Sequence, residues 1–285
     1  MLHNRTDNPM KKNNQITTLF GLMLIVAGVF FLVDQQLHTQ WLIISIPAVL
    51  GLLLLMYGIV FKGKGWLIAG LLVTSIGLGA FLALQHFYEF PLISRFGYLA
   101  LFFTLSWIII FIILRLFFQN TAWWSLICAA VFGGTAYSLL FSKATIFDFV
   151  MSICLLLGAV FLLWGYLQKL LGLVIPGCLL ITIGPGISIA WSRAASPQGL
   201  VETGVMLVWF ALGWLLITVF SRIILKKFTW WPLIPGGVLA MVGWGLYIGG
   251  NPANALGFVG NTGSIALIIF GVYLLLLRFG MQNKD

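Results

Sequence analysis

Apolar runs of about twenty residues follow one another along the whole chain with almost nothing between them. A helix rises roughly 1.5 Å per residue, so each run is long enough to cross a hydrocarbon layer about 30 Å thick. They predict ten transmembrane helices over residues 16–33, 41–61, 65–84, 97–118, 122–141, 147–167, 171–191, 203–221, 231–249 and 262–279. With 61% hydrophobic and 7% charged residues, the chain cannot be arranged around one water-soluble core, and lipid must be the solvent for most side chains. Barrel strands would alternate polar with apolar over about ten residues, whereas these runs are continuously apolar, so the expected fold class is an all-α polytopic membrane protein.

The basic residues set the expected orientation. On a ten-span arrangement, twelve of the 15 Lys and Arg residues fall on one side: Arg5, Lys11, Lys12, Lys62, Lys64, Arg115, Lys169, Arg222, Lys226, Lys227, Arg278 and Lys284. Arg95, Lys143 and Arg193 fall on the other side, which also holds the acids Asp34, Glu89, Asp148 and Glu202. Short loops rich in Lys and Arg stay in the cytoplasm, which predicts both termini inside, with tails at 1–15 and 280–285 flanking a transmembrane domain at 16–279. The net charge of +9 then reflects topology and attraction to anionic headgroups, and nucleic-acid binding is not needed to explain it. Lys11 and Lys12 precede an apolar run too long for a signal peptide, and Val33-Asp34-Gln35 offers no small-residue cleavage site, so the first run is expected to remain as a span. Trp66, Trp123, Trp124, Trp230 and Trp231 at inner ends, with Trp41 and Trp191 at outer ends, read as interfacial anchors.

The chain also repeats itself. Residues 65–131 slid by 107 positions without a gap give 19 identities in 67 pairs, among them Gly70/Gly177, Gly77/Gly184, Gly79/Gly186, Trp107/Trp214, Arg115/Arg222, Trp123/Trp230 and Trp124/Trp231. Shared apolar composition would not bring paired tryptophans, spaced glycines and a lone arginine into one register. A shift of 59 aligns Ile175-Pro176-Gly177 with Ile234-Pro235-Gly236. The expected unit is a two-helix hairpin used five times, over 16–61, 65–118, 122–167, 171–221 and 231–279. Copies with an even number of spans keep one orientation. That argues against the drug/metabolite transporter superfamily, whose halves of five spans are inverted, and against a carrier site between inverted repeats.

Small residues recur seven apart in the outward-running helices, at Gly21 and Gly28, Gly70 and Gly77, Ala129 and Ala136, Gly177 and Gly184, Gly236 and Gly243. Seven residues are two turns, so each pair shares a face and is expected to let a neighbouring helix approach closely. Pro176 and Pro235 lie in first turns, where the missing N–H costs little, while Pro185 is expected to loosen or kink its helix.

The stretch from Gly21 through Gly28 to Asp34, followed by Trp41 and then Val49-Leu-Gly51-Leu-Leu-Leu-Leu, resembles the LiaI/LiaF-like transmembrane region of bacterial envelope proteins. The hairpin opening Trp231-Pro-Leu-Ile-Pro-Gly-Gly has the same character. The resemblance covers about 45 residues well and implies a bacterial cytoplasmic-membrane protein; family members with known roles sense or answer envelope stress.

Little in the sequence points to chemistry. No ionisable side chain falls near the centre of a predicted span, where burial costs at least about 2.5 kcal/mol, so coupled transport through a central carboxylate is disfavoured. His86 and Glu89, with Asp34, His38, Asp148 and Glu202, are candidates for an outer-face metal or acid/base site, but they lack ligand-pair spacing and read first as loop polarity. His3 lies in the N-terminal tail. Cys128, Cys154 and Cys178 lie within spans and read as packing residues. No catalytic, cofactor or metal residues are assigned and no cofactor is expected. Arg115, Arg222, Lys226 and Lys227 at inner helix ends are candidate contacts for anionic headgroups. The expected role is structural or regulatory and non-enzymatic, with a membrane-protein partner or a second copy. The alternative is a carrier or channel for a lipid-like or small apolar solute, which would need a groove lined by Thr74, Ser75, Ser106, Thr135, Tyr137 and Thr182.

Overall fold

A computed structural model describes residues 9–37, 41–85, 90–119, 122–191, 199–226 and 229–249, with Gly257, Gly260, Gly263 and Ser264. The described residues form two compact units, Met1–Ser142 and Lys143–Asp285. In the first unit lie α1 (Pro9–Leu37), α2 (Trp41–Val60), α3 (Lys64–Gln85), α4 (Leu92–Phe118) and α5 (Trp123–Phe141). The second holds α6 (Ile146–Gln168), α7 (Leu171–Trp191), α8 (Leu200–Leu225) and α9 (Leu233–Gly249). Eight of these helices are long and apolar enough to cross a membrane, the architecture of a multi-pass membrane protein. At 17 residues α9 is shorter, about 25 Å at roughly 1.5 Å per residue. The tenth expected span, 262–279, lies outside the described residues.

Several helices run beyond their apolar runs. α4 begins at Leu92 rather than 97, placing Arg95 in its first turns, where the guanidinium Nε donates to the Phe90 carbonyl at 3.0 Å. α7 continues as helix through both Pro176 and Pro185, and α2 carries a further internal proline, Pro47.

Extensive packing among the described helices joins neighbours in the chain, and α2 on α3, α4 on α5, α6 on α7 and α8 on α9 are the closest pairs. Glycine makes these approaches possible. A Cβ on Gly70 would stand 2.5 Å from the Leu55 amide nitrogen, one on Gly58 2.6 Å from that of Leu67, and one on Gly77 would meet the Ala48 backbone. In the second unit Gly177 faces Leu162 and Gly165 faces Val174, the same partnerships 107 residues on. Gly97 against Leu139 and Leu140 is likewise matched by Gly204 against Leu246 and Tyr247.

The apolar cores correspond in the same way. One gathers Leu67, Leu71, Ile110 and Leu114 with Leu55, Ile68, Leu72, Trp107 and Ile113 packed around them. The other gathers Val174, Cys178, Ile217 and Ile224 with Leu162, Ile175, Leu179, Trp214 and Phe220. Leu67/Val174, Leu71/Cys178, Ile110/Ile217, Leu55/Leu162 and Trp107/Trp214 each lie 107 apart. Cys178 is fully buried in that core, a packing position.

Four helices end on a left-handed residue that is not glycine: Lys62 (φ 50°) after α2, Gln119 (φ 49°) after α4, Lys169 (φ 54°) after α6 and Lys226 (φ 53°) after α8. After α2 the N–H of Gly63 donates to the Gly58 carbonyl at 3.0 Å, and after α6 the N–H of Leu170 donates to that of Gly165 at 3.1 Å. These are the long bonds of a Schellman turn, which reverses the chain within a few residues.

Candidate functional site

The described acids at the expected outer side lie at helix ends, Asp34 in the last turn of α1 and Asp148 and Glu202 in the first turns of α6 and α8. Asp34, 3% exposed, accepts the Leu42 N–H at 3.0 Å, tying the end of α1 to the first turn of α2. Thr145 and Asp148 form a capping box at the start of α6, with the Thr145 N–H donating to Asp148 Oδ2 at 3.1 Å and the Asp148 N–H to Thr145 Oγ1 at 3.4 Å. Glu202 lies buried in the first turn of α8. Asp34 and Asp148 accept orphan amide hydrogens at the starts of α2 and α6, and Asp148 and Glu202, in first turns, face the positive end of their helix dipoles. His3, His38, His86 and Glu89 lie outside the described residues, and among those described no three potential metal ligands gather.

The hydroxyls of the expected solute groove are turned to backbone carbonyls. Thr74 donates to Gly70 at 2.7 Å, Ser75 to Leu72 at 2.8 Å, Thr135 to Val131 at 2.9 Å and Thr182 to Leu179 at 3.0 Å, each within its own helix. Ser106 of α4 donates across to the Leu71 carbonyl of α3 at 3.1 Å. Tyr137 is half exposed with its ring against Phe141 at 5.6 Å. Of these hydroxyls Ser106 alone bonds to another helix, and the other four are used within their own.

Tryptophans pack more than the interfacial reading expects. Trp107 meets Trp124 edge to face at 5.4 Å, and Trp214 meets Trp231 the same way at 5.9 Å. Phe103 adds a third ring to the first group and Phe210 to the second. Trp123 is buried against Phe111, while Trp230 is 64% exposed and keeps the geometry of an anchor.

Of the small-residue stripe, Gly70, Gly77, Gly177, Gly184, Gly236 and Gly243 each abut a neighbouring helix. Gly21 and Gly28 meet nothing within 4 Å among the described residues, so the spacing that marks a close approach elsewhere marks none on α1.

The basic ends carry the clearest concavities. Arg115 and Arg222 lie exposed in the last turns of α4 and α8; Lys227 is outside the described residues. In the first unit a cleft of about 340 Å³ opens between the ends of α2 and α4 over Leu67 of α3, walled by Leu55, Ile59, Ile113 and Phe117 and bordered by exposed Lys62. In the second, a cleft of about 520 Å³ lies between the ends of α6 and α8, lined by Tyr166, Leu167, Ile223 and Ile224 with Lys169 and Lys226. Ile59/Tyr166, Lys62/Lys169 and Phe117/Ile224 stand 107 apart. Extending the repeat register a few residues upstream of Gly65 would have exposed the Gly58/Gly165 and Lys62/Lys169 matches, but only the folded chain shows that a gap opens beside them. No protein-family model, curated protein or solved structure is similar to this chain.

Proposed function

We propose that this is a bacterial cytoplasmic-membrane protein with its basic helix ends and both termini in the cytoplasm. Its role is structural or regulatory in the envelope, as the resemblance over Gly21–Leu55 implies. It is built from parallel repeats, a reading supported by the contacts that recur 107 residues apart, although the closest pairs, such as α2 on α3 and α6 on α7, join neighbouring members of the expected hairpins 16–61, 65–118, 122–167 and 171–221. The observation that carries the functional reading is the use of the intramembrane hydroxyls: Ser106 joins two helices, while Thr74, Ser75 and Thr182 bond back to their own. A carrier needs polar groups that converge on its solute, and these converge on carbonyls instead. A non-enzymatic scaffold needs no such convergence, and its apolar helix faces serve lipid or a membrane partner.

The test is affinity purification of a tagged copy from native membranes in mild detergent, with mass spectrometry of bound proteins and solutes. A partner at fixed stoichiometry is the expected result; a retained polar or apolar solute with no protein partner would overturn the reading. Reporter fusions after Lys62, Lys169 and Lys226 should report the cytoplasm, and those after Leu37 and Ser142 the outside.

A further inference from the structure

The geometry points to two seats for an anionic diacyl phospholipid, one in each unit, with the phosphate at the lysine of a left-handed helix end and an acyl chain along the cleft beside it. The inference rests on the membrane placement proposed above and adds a ligand and its residues.

Charge selects the headgroup. Lys62 borders the first cleft, and Lys169 and Lys226 border the second. All three are exposed, and the described acids Asp34, Asp148 and Glu202 lie near the opposite ends of the helices. Each lysine also occupies a left-handed backbone region that disfavours a side chain and where glycine is the usual occupant. A lysine there complements the carbonyl end of its own helix. At Lys62 and Lys169, however, α3 and α7 begin two residues further on, and their amide ends offset that dipole locally, leaving the ammonium as the net charge at the mouth.

The walls select a lipid over a free phosphoester. Ile59 is 55% exposed, Phe117 77% and Ile223 61%, so the clefts continue onto apolar helix surface of the kind that faces acyl chains. Their volumes fall in the range of about 300–1,000 Å³ found for small-molecule sites. Gly58 lines the first cleft at the tight crossing of α2 on α3, where a Cβ would meet Leu67, and Gly165 makes the corresponding approach to Val174.

The test uses the full chain purified in a neutral detergent, with phosphatidylglycerol or phosphatidylcholine added, read by native mass spectrometry and by thermal unfolding. Two phosphatidylglycerol molecules should be retained per chain, and phosphatidylcholine should bind more weakly. Lys62→Gly should weaken the first site about fivefold, and Lys169→Gly with Lys226→Gly the second about thirtyfold, since each basic group contributes a factor of about five. These glycines relieve the left-handed backbone, so unfolding without lipid should be unchanged or later. Lys→Arg at the same positions should keep both lipids. Equal binding of the two lipids, unchanged phosphatidylglycerol binding by the glycine variants, or displacement by soluble glycerol phosphate would each overturn the proposal. None of these readouts depends on a protein partner, so failure here is separable from failure of the scaffold reading.

Discussion

Gly77→Ala should lower stability by about 1–2 kcal/mol even though alanine is the better helix former. The new Cβ would lie 2.6 Å from the Ala48 Cα and 2.7 Å from the Pro47 carbonyl carbon, and closer still to the Ala48 nitrogen. Ordinary contact begins near 3.4 Å, and every one of these atoms is backbone, so no side chain can swing aside. α2 and α3 must part by roughly 1 Å at this crossing, which forfeits about a quarter to a half of the local dispersion energy. Overpacking of this kind costs about 1–3 kcal/mol, offset by about 0.5–1 kcal/mol of helix propensity. Gly28→Ala and Gly237→Ala are the internal controls. Neither position has an atom within 4 Å among the described residues, so both should be neutral or stabilising by up to about 1 kcal/mol. Equilibrium unfolding of the three variants in one detergent decides the matter. If Gly77→Ala matches the wild type while Gly28→Ala is destabilised, the close approach described between α2 and α3 is wrong.

Three further outcomes follow from the same geometry. Thr145→Ala, which removes one half of the capping box at α6, should cost about 1 kcal/mol in equilibrium unfolding, and no change would remove the capping role from Thr145. A double-mutant cycle on Trp107 and Trp124 should give a coupling of about 0.5–1.5 kcal/mol, and the cycle on Trp214 and Trp231 should agree with it; unequal couplings would count against equivalent packing in the two units. Ser106→Ala should lose about 0.6 kcal/mol because its hydroxyl bridges two helices, whereas Thr135→Val, which removes a bond within one helix, should change stability less.

Hydropathy located the helices because a bilayer imposes a length and an apolar composition on anything that crosses it. The 107-residue register is equally visible, since paired tryptophans, spaced glycines and an arginine fall into it together. What the residues did not reveal was direction. Asp34 and Asp148 border short connections, where an acid can bind a metal or start a helix, and the bonds to Leu42 and Thr145 point to the second. Thr182 reads as groove polarity until its oxygen is found against a carbonyl of its own helix. Gly28 and Gly77 share one spacing rule, yet only Gly77 meets a neighbouring backbone among the described residues, because spacing fixes a helix face and not what lies opposite it. The left-handed lysines were hidden for a related reason: Lys62 and Lys169 stand where a turn signal would be glycine.

Packing in chain order bears on how such a protein is made. Within each unit every described helix finds its main contacts on the segment synthesised just before or just after it. Low sequence separation between contacts favours rapid assembly, since little loop entropy is lost before contacts form. A neighbouring pair such as α2 and α3 can therefore close as soon as its second helix leaves the ribosome and enters the bilayer. Among the described helices none has to wait, exposed, for a partner still hundreds of ångströms of unfolded chain away.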